Sequence, residues 1–506
     1  MPASPQPGTA PPRGPWRHAL EGALAVLAAI AMMAVTAWAG LLALGADAIA
    51  PLSRLVPTVL SMAFGGAVGL ESAPSAAPAA GGGLLGALGG SGGGLGLGVH
   101  GEVRALPLML TFLGTAVLAT VFFRPLHRRA RPVPALLWAR AGGALSTAAV
   151  LLPVLALVGR GTARLPRSVT ERLGARAGGA GGGMGGLGAL GAGTGGSGKG
   201  LAGALSSVVF HSDVVTTAFL GVLGVCAVLG IGCVAARRTS LPRPVALSRM
   251  RLKWHPVAST LTGMAAVACC LVLALAVLTG AAAPGGREQA ARAAGALLLA
   301  GPGLLAVLLT SGLGASWEAA FRREQGDGGG VLGMFGGGTG AGGAGKDRSL
   351  AVGDWSGAGA PLWLIGLVLL LVLLVLAGYL VAARTPARSA REEADALLGR
   401  HLEPALRTGV AVAAAVLLCC VTAQVSLRMG IEVMGGEMGT VTAGLDAAVR
   451  LSGLTGFVTA TAASYTGSRL HGLRAARRPP VPGPPRPGPR RRTTASGSSP
   501  RAGVVS

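Results

Sequence analysis

Charge is scarce in this chain. Only 12% of its residues are Asp, Glu, Lys or Arg, whereas a soluble protein needs about a quarter to cover its surface. With 51% hydrophobic residues and a mean hydropathy of +0.61, the shortage excludes an ordinary water-soluble globule and places the chain in lipid. Acidic residues are scarcest, 19 against 43 basic ones, for a net charge of +24. In a soluble protein that surplus would point to nucleic acid. Here the arginines cluster beside apolar runs, where the cytoplasmic-positive bias of membrane proteins puts them, so nucleic acid is not an expected partner. Lysine occurs only at Lys199, Lys253 and Lys346. Cysteine is missing from every polar stretch. Cys226, Cys233, Cys269, Cys270, Cys419 and Cys420 all lie in apolar runs, which excludes a disulfide framework and zinc-type Cys/His spacing and leaves them as small apolar fillers. No nucleophile–base pair and no metal-ligating set stands out, so neither an enzyme nor a bound cofactor or metal is expected. No cleavage pattern ends the first apolar run, which is longer than a signal-peptide core. It reads as a signal anchor with its N-terminus inside.

What the chain does have is a series of apolar runs. Those at 23–45, 105–123, 141–158, 214–236, 257–278, 361–383 and 408–427 each approach the length that a bilayer core requires. Three others are weaker. Residues 55–70 are short and contain Pro57, 294–314 are interrupted by Gly301-Pro302-Gly303, and 446–465 are rich in Thr, Ser and Gly and carry Arg450. Such segments are either re-entrant, with their backbone covered by protein or water, or poorly hydrophobic full spans. The expected fold is all-α: a polytopic transmembrane helical bundle in the bacterial cell membrane.

The segments between the runs are of two opposite kinds. Arginines follow the runs ending at 123, 236 and 383, and the tail from Arg469 onward is basic and Pro-rich. Glycine, alanine and serine fill 72–104, 174–212 and 324–360, stretches that cannot bury a core and read as flexible. If every basic segment lies inside, the glycine-rich ones lie outside. The count then closes on eight crossings, provided 55–70 and 294–314 do not cross, with both termini cytoplasmic. Arg160, Arg164, Arg167, Arg172 and Arg176 resist this by facing outward, and the rival count is ten. The organisation expected is an N-tail at 1–22, a first membrane half at 23–236, a basic linker at 237–256, a second half at 257–468 and a disordered basic C-tail at 469–506. Residues 387–406 mix charge with Leu397 and Leu398, as an amphipathic surface helix would. Besides the bilayer itself, the arginine clusters and C-tail suit anionic lipid headgroups, while a protein partner or oligomer is left open.

The halves match in order, as two sequence-related sets of four to five apolar segments. Pro57…Glu71 resembles Pro302…Glu318. Pro107-Leu108 and Pro361-Leu362 each open a run after a glycine-rich stretch. Ala148–Leu152 recurs at Ala414–Leu418, and Asp213 with Gly221-x-x-Gly224 recurs as Asp446 with Gly453-x-x-Gly456. Duplicated halves are common in secondary transporters, whose sites lie at interrupted segments in corresponding positions. Four crossings per half would make the repeats parallel, five inverted.

Ionisable residues near membrane depth are the only chemical candidates: Glu71 and Glu318, ending the two weak segments, His211 and Asp213 before one run, Asp446 before its counterpart, and His100 with Glu102 before another. Helix capping is the plainer role for Asp213 and Asp446. Gln424 is a strongly polar residue inside a confident run, where an interhelical hydrogen bond explains it. Gly193–Gly200 and Gly340–Asp347 imitate phosphate-binding loops, but lack the Ser or Thr after the lysine and any strand–helix setting, so chance explains them. Small residues such as those of Gly221-x-x-Gly224 suit close helix packing, and most tryptophans stand near run ends, as an interfacial belt would.

Several of these residues together resemble the streptophobe family, hydrophobic multi-pass membrane proteins of actinobacteria. They are Trp16…Glu21-Gly22 before the first run, Leu41-Leu42…Gly45-Ala46-Asp47 after it, Pro107-Leu108…Phe123-Arg124-Pro125-Leu126, and Asp213. The resemblance covers nearly the whole chain except the tails and glycine-rich stretches. It implies a multi-pass membrane protein of unknown role and supplies no catalytic or ligand residue. Two functions remain open: a transporter- or permease-like protein with a duplicated architecture, or a non-transporting scaffold or accessory component of the cell envelope.

Overall fold

The computed structural model describes residues 15–72, 97–127, 134–164, 207–236, 249–281, 286–325, 348–351, 356–357, 360–385, 399, 401–433 and 436–477. The phosphate-loop look-alikes, most of 387–406 and the tail beyond 477 fall outside them.

Proline and capping residues set the helix starts. Helices α1 (Pro15–Leu44) and α4 (Pro134–Val158) open on proline, whose missing N–H has no intrahelical partner to lose at that position. Helices α3 (Leu108–His127) and α8 (Leu362–Arg384) each follow a proline. Asp213 caps α5 (Val214–Ala235). The others are α2 (Leu52–Ala63), α6 (Arg249–Ala281), α7 (Arg287–Gly312), α9 (Leu402–Thr422) and α10 (Val449–Ala476). Of these, α1, α4, α5, α6, α7, α8 and α9 are long and apolar enough to cross a membrane, which fits an integral membrane protein built as a helical bundle.

The three weak segments resolve differently. At 55–70 stands α2, whose 12 residues reach only about 18 Å, and then a strand. At 294–314 the helix runs unbroken through Pro302. At 446–465 a strand gives way to α10 at Val449. One strong run is shifted from its expected place: α9 covers Leu402–Thr422 instead of 408–427, so Gln424 sits beyond it rather than within a span.

The sheet is the element that the hydropathy pattern hides. Strands β1 (Val68–Ser72), β2 (Leu97–Ala105), β3 (Gly161–Arg164), β4 (Ser207–Ser212), β5 (Trp317–Gln325), β6 (Arg348–Ala351), β9 (Val425–Val433) and β10 (Gly436–Ala447) form one sheet in the order β3-β4-β1-β2-β9-β10-β5-β6. A two-stranded ribbon, β7 (Ser356–Gly357) with β8 (Ala360–Pro361), adjoins α8. Every pair in the large sheet is antiparallel. The glycine-rich stretches therefore begin or end as strands, and each connects two strands of this sheet.

Connectivity sorts the helix ends. The N-termini of α3, α5, α8 and α10 and the C-termini of α4 and α9 adjoin strands, which places them all at the sheet end of the bundle. Helix α7 stays near that end. Its Gly295 packs on Gly40, Ala43 and Leu44 at the close of α1, and its Ala294 on Gly280 at the close of α6. Gly312 packs on Gly366 and Leu367 at the start of α8, and Leu313 on Gly456 of α10. Helices α2 and α7 thus lie beneath the sheet. Apolar clusters form on each: Leu60 and Ala63 with Leu152 and Val225, and Ala306 and Leu313 with Trp317, Val416 and Cys420.

Both helices end in the same turn. Gly65 (φ 88°) and Gly314 (φ 80°) take the left-handed conformation that glycine adopts without a Cβ penalty. Gly65 and Gly66 donate to the carbonyls of Met62 and Ser61, and Gly314 and Ala315 to those of Ser311 and Thr310, the paired bonds of a Schellman stop.

Candidate functional site

Alternation along the strands divides the sheet into two faces. Val68, Phe210, Trp317 and Leu445 turn inward against α2 and α7. The opposite face is polar. Register places His211, Gly69, Glu102, Arg428, Thr442 and Arg322 in one row across six strands. The next row holds Glu71, His100, Gly430 and Thr440. Directly opposed residues of an antiparallel pair share a face, so these side chains belong to one surface.

Glu71, His211, Glu318 and Asp446 all stand on that face, with Asp213 at its margin. None lies inside a membrane-length helix; they belong to the sheet and its margin. Their pairing also differs from the sequence matches. Glu318 is opposite Asp446 across β5 and β10, while Glu71 is opposite His100 and Val209. Counted from the two similar turns at Gly65 and Gly314, Glu318 falls at the position of Gly69 and not of Glu71. Likewise the Asp213 N–H bonds the Ala67 carbonyl (3.0 Å) as the Ala448 N–H bonds that of Ser316 (3.2 Å). Asp213 therefore caps a helix and Asp446 does not.

The Asp213 carboxylate accepts from the backbone N–H groups of Val215 (3.1 Å) and Thr216 (3.4 Å) and from the Thr216 hydroxyl. The Thr216 hydroxyl, more than slight burial opposes it, holds this carboxyl below its ordinary range, and Arg104 adds a smaller pull the same way. Glu102 pairs with Arg104 at 2.6 Å, largely in the open. The His211 ring covers Gly69 and the His100 ring covers Gly430, where any Cβ would collide with the imidazole. The surface mixes both signs of charge with two histidines. Among the described residues no three His, Cys, Asp or Glu side chains group as a metal site.

Two clusters escaped the reading of the sequence. At the far end of the bundle, buried Arg140 of α4 reaches Glu21 of α1 (3.1 Å) and the Val121 carbonyl of α3 (3.0 Å), and its guanidinium lies over the Phe122 ring. His18 stands 3.5 Å from the same carboxylate. The signal in the sequence is a His and a Glu, His18 and Glu21, in the first turns of an apolar helix. Beneath the sheet, Trp317 Nε1 donates to the Thr310 hydroxyl (2.9 Å), while in the other half the Ser61 hydroxyl donates to that of Ser212 (2.7 Å).

No protein-family model, no curated protein and no solved structure matches this chain.

Proposed function

We propose that this protein is a multi-pass membrane scaffold of the bacterial cell envelope, in which eight crossing helices hold a wide polar sheet against one membrane face. The crossings are α1, α3, α4, α5, α6, α8, α9 and α10, with α2 and α7 at the sheet end. The N-tail, the segments that join helices at the far end (124–140, 237–256 and 384–407) and the tail from Arg469 together hold most of the chain's lysine and arginine, although the sheet end also carries arginines such as Arg54, Arg104, Arg322 and Arg428. The cytoplasmic-positive bias makes that end the inside and the sheet the outside.

One observation carries the scaffold reading. Strands β2 and β9 pair from Leu97↔Val433 to Ala105↔Val425, welding the two halves into one sheet. Transporters of duplicated build work largely by rocking one half against the other, and this weld opposes that motion. The candidate carboxylates face outward on the sheet and do not converge between the halves. The reading contains no catalytic step.

Transport is the second reading, and the repeated element order favours it. Helix, helix, strand pair, helix, helix, strand pair, helix occurs twice, each time with strand order third-fourth-first-second. We read this as a parallel duplication.

Purified protein in proteoliposomes distinguishes the two. Under the scaffold reading no proton- or solute-coupled flux appears, and a photo-crosslinker replacing Thr442 on the polar face traps a partner that one replacing Arg477 does not. A flux abolished by Glu71→Gln and Glu318→Gln sinks the scaffold. In a background lacking the six native cysteines, Thr442→Cys reacts with an impermeant maleimide from outside and Arg477→Cys only from inside, and the reverse pattern inverts the orientation.

A further inference from the structure

The chain has only two tyrosines, Tyr379 and Tyr465, and they occupy near-identical settings on opposite flanks of α10. Tyr465 meets His401 edge-to-face, with ring centres 6.4 Å apart, and its hydroxyl accepts from Arg469 at 2.9 and 3.1 Å with the guanidinium over the ring. Tyr379 of α8 meets His471 edge-to-face at 5.3 Å, and the Arg474 guanidinium lies 5.5 Å from its ring centre. Tyr465, His401 and Arg469 close one end of an apolar groove, and Tyr379 and Arg474 close one end of another, with His471 beside Tyr379. The first groove, about 660 Å³, runs between α9 and α10 along Leu402, Phe457, Val458 and Ala462. The second, about 500 Å³, runs between α8 and α10 along Leu371, Val375, Leu376 and Leu470.

Helical spacing makes each groove a graded stripe. On α10, Val458, Ala462, Tyr465 and Arg469 follow one another at steps of three or four, as do Val372, Val375 and Tyr379 on α8. Each stripe begins apolar in the middle of the bundle and ends in cation and hydroxyl at the basic end. An acyl chain fits the first part and a phosphate diester the last. Basic pockets between membrane helices on the cytoplasmic side are the general form of such sites.

We propose that α10 carries one anionic phospholipid on each flank. The phosphate of one lies against Arg469, Tyr465 and His401, and that of the other against Arg474, Tyr379 and His471, with the acyl chains in the two grooves. The proposal rests on the bundle lying in a bilayer, not on the scaffold reading.

Native mass spectrometry of the full chain in detergent, titrated with phosphatidylglycerol or phosphatidylcholine, tests it. Two phosphatidylglycerols remain bound in preference to phosphatidylcholine. Arg469→Gln and Arg474→Gln each weaken one of the two by about fivefold, and the double variant weakens both. Arg469→Lys retains binding, and millimolar inorganic phosphate does not compete. Equal retention of phosphatidylcholine, unchanged binding in the double variant, or displacement by inorganic phosphate overturns the proposal. Carbonate extraction of the same protein from vesicles separates the two failures: a chain that stays in the pellet while the double variant binds normally overturns the two lipid sites and leaves the membrane setting standing.

Discussion

The two halves share a sheet plan and differ in how their helices close. In the first half the seam is α1 against α4. A Cβ on Gly22 would strike the Arg140 carbonyl, and one on Gly143 the Ala19 carbonyl, so the two backbones touch. In the second half the first helix, α6, stays at the periphery. Only 6% of its apolar window is buried by protein, against 39% for α1. There the touching pair is α8 with α10, where Gly378 meets Ser464 and Gly467 meets the Val375 carbonyl. Beneath the sheet the halves agree closely. Gly221 packs on Phe64 and Leu152, and Gly456 on Leu313 and Val416. Thr217 and Ser452 each return a hydroxyl bond to the carbonyl four residues back. The strand platform and its supporting helices are thus the constant part, and the outer helix arrangement is the variable one.

The largest effect should come from the seams. Gly22→Leu forces two backbones apart and costs about 3 kcal/mol or more, whereas Gly263→Leu in α6, with nothing within 4 Å of its Cβ position, changes little. Thermal unfolding in detergent reads both, and equal losses would erase the distinction between α1 and α6. Next comes the far-end arginine of each half. Arg140, 4% exposed in its side chain, sits within the bundle, and Arg140→Met should cost about 2–3 kcal/mol. Arg407, more exposed and paired with Glu403 on its own helix, should cost about 1 kcal/mol or less.

Much of this was legible in the sequence, but unevenly. Long apolar runs betray helices because each buried backbone must satisfy itself. The paired openings at Pro107-Leu108 and Pro361-Leu362 do stand in register at the starts of α3 and α8. The strands were hidden because their inward residues, such as Val68, Leu70 and Leu445, continue the hydrophobicity of the neighbouring helices. The cross-strand partner of Leu70, Gly101, falls in the glycine-rich stretch 72–104 that reads as linker. The sequence matches between the halves part from the turns for a related reason. In a composition so rich in Ala, Leu and Gly, aligning Pro57 with Pro302 costs nothing, yet the Schellman turns place Pro57 opposite Ala306, one helical turn away.

Smaller effects sharpen the comparison beneath the sheet. Trp317→Phe leaves Thr310 without its donor and should cost about 1–2 kcal/mol, and Ser212→Ala about 1 kcal/mol in the other half. Loss in one alone would show that the two supports are not equivalent. Smallest is the cap. Asp213→Ala should cost about 1 kcal/mol and Asp446→Ala nothing measurable. Because the folded carboxyl of Asp213 titrates below its unfolded value, its contribution is present above the ordinary carboxylate range and fades as pH falls through the lowered one. Denaturation of wild type and Asp213→Asn between pH 7 and acid should therefore converge at low pH.

The bond between β2 and β9 also dictates an order of assembly. The two strands lie some three hundred residues apart in the chain. At ribosomal speed the free edge of β2 waits on the order of tens of seconds for its mate. During that interval the first half offers an unpaired strand to any other chain nearby. A chain cut short before α9 never hides it, so truncated products should be the species that clump, and the cell has reason to shield this edge until the last third has been threaded into place.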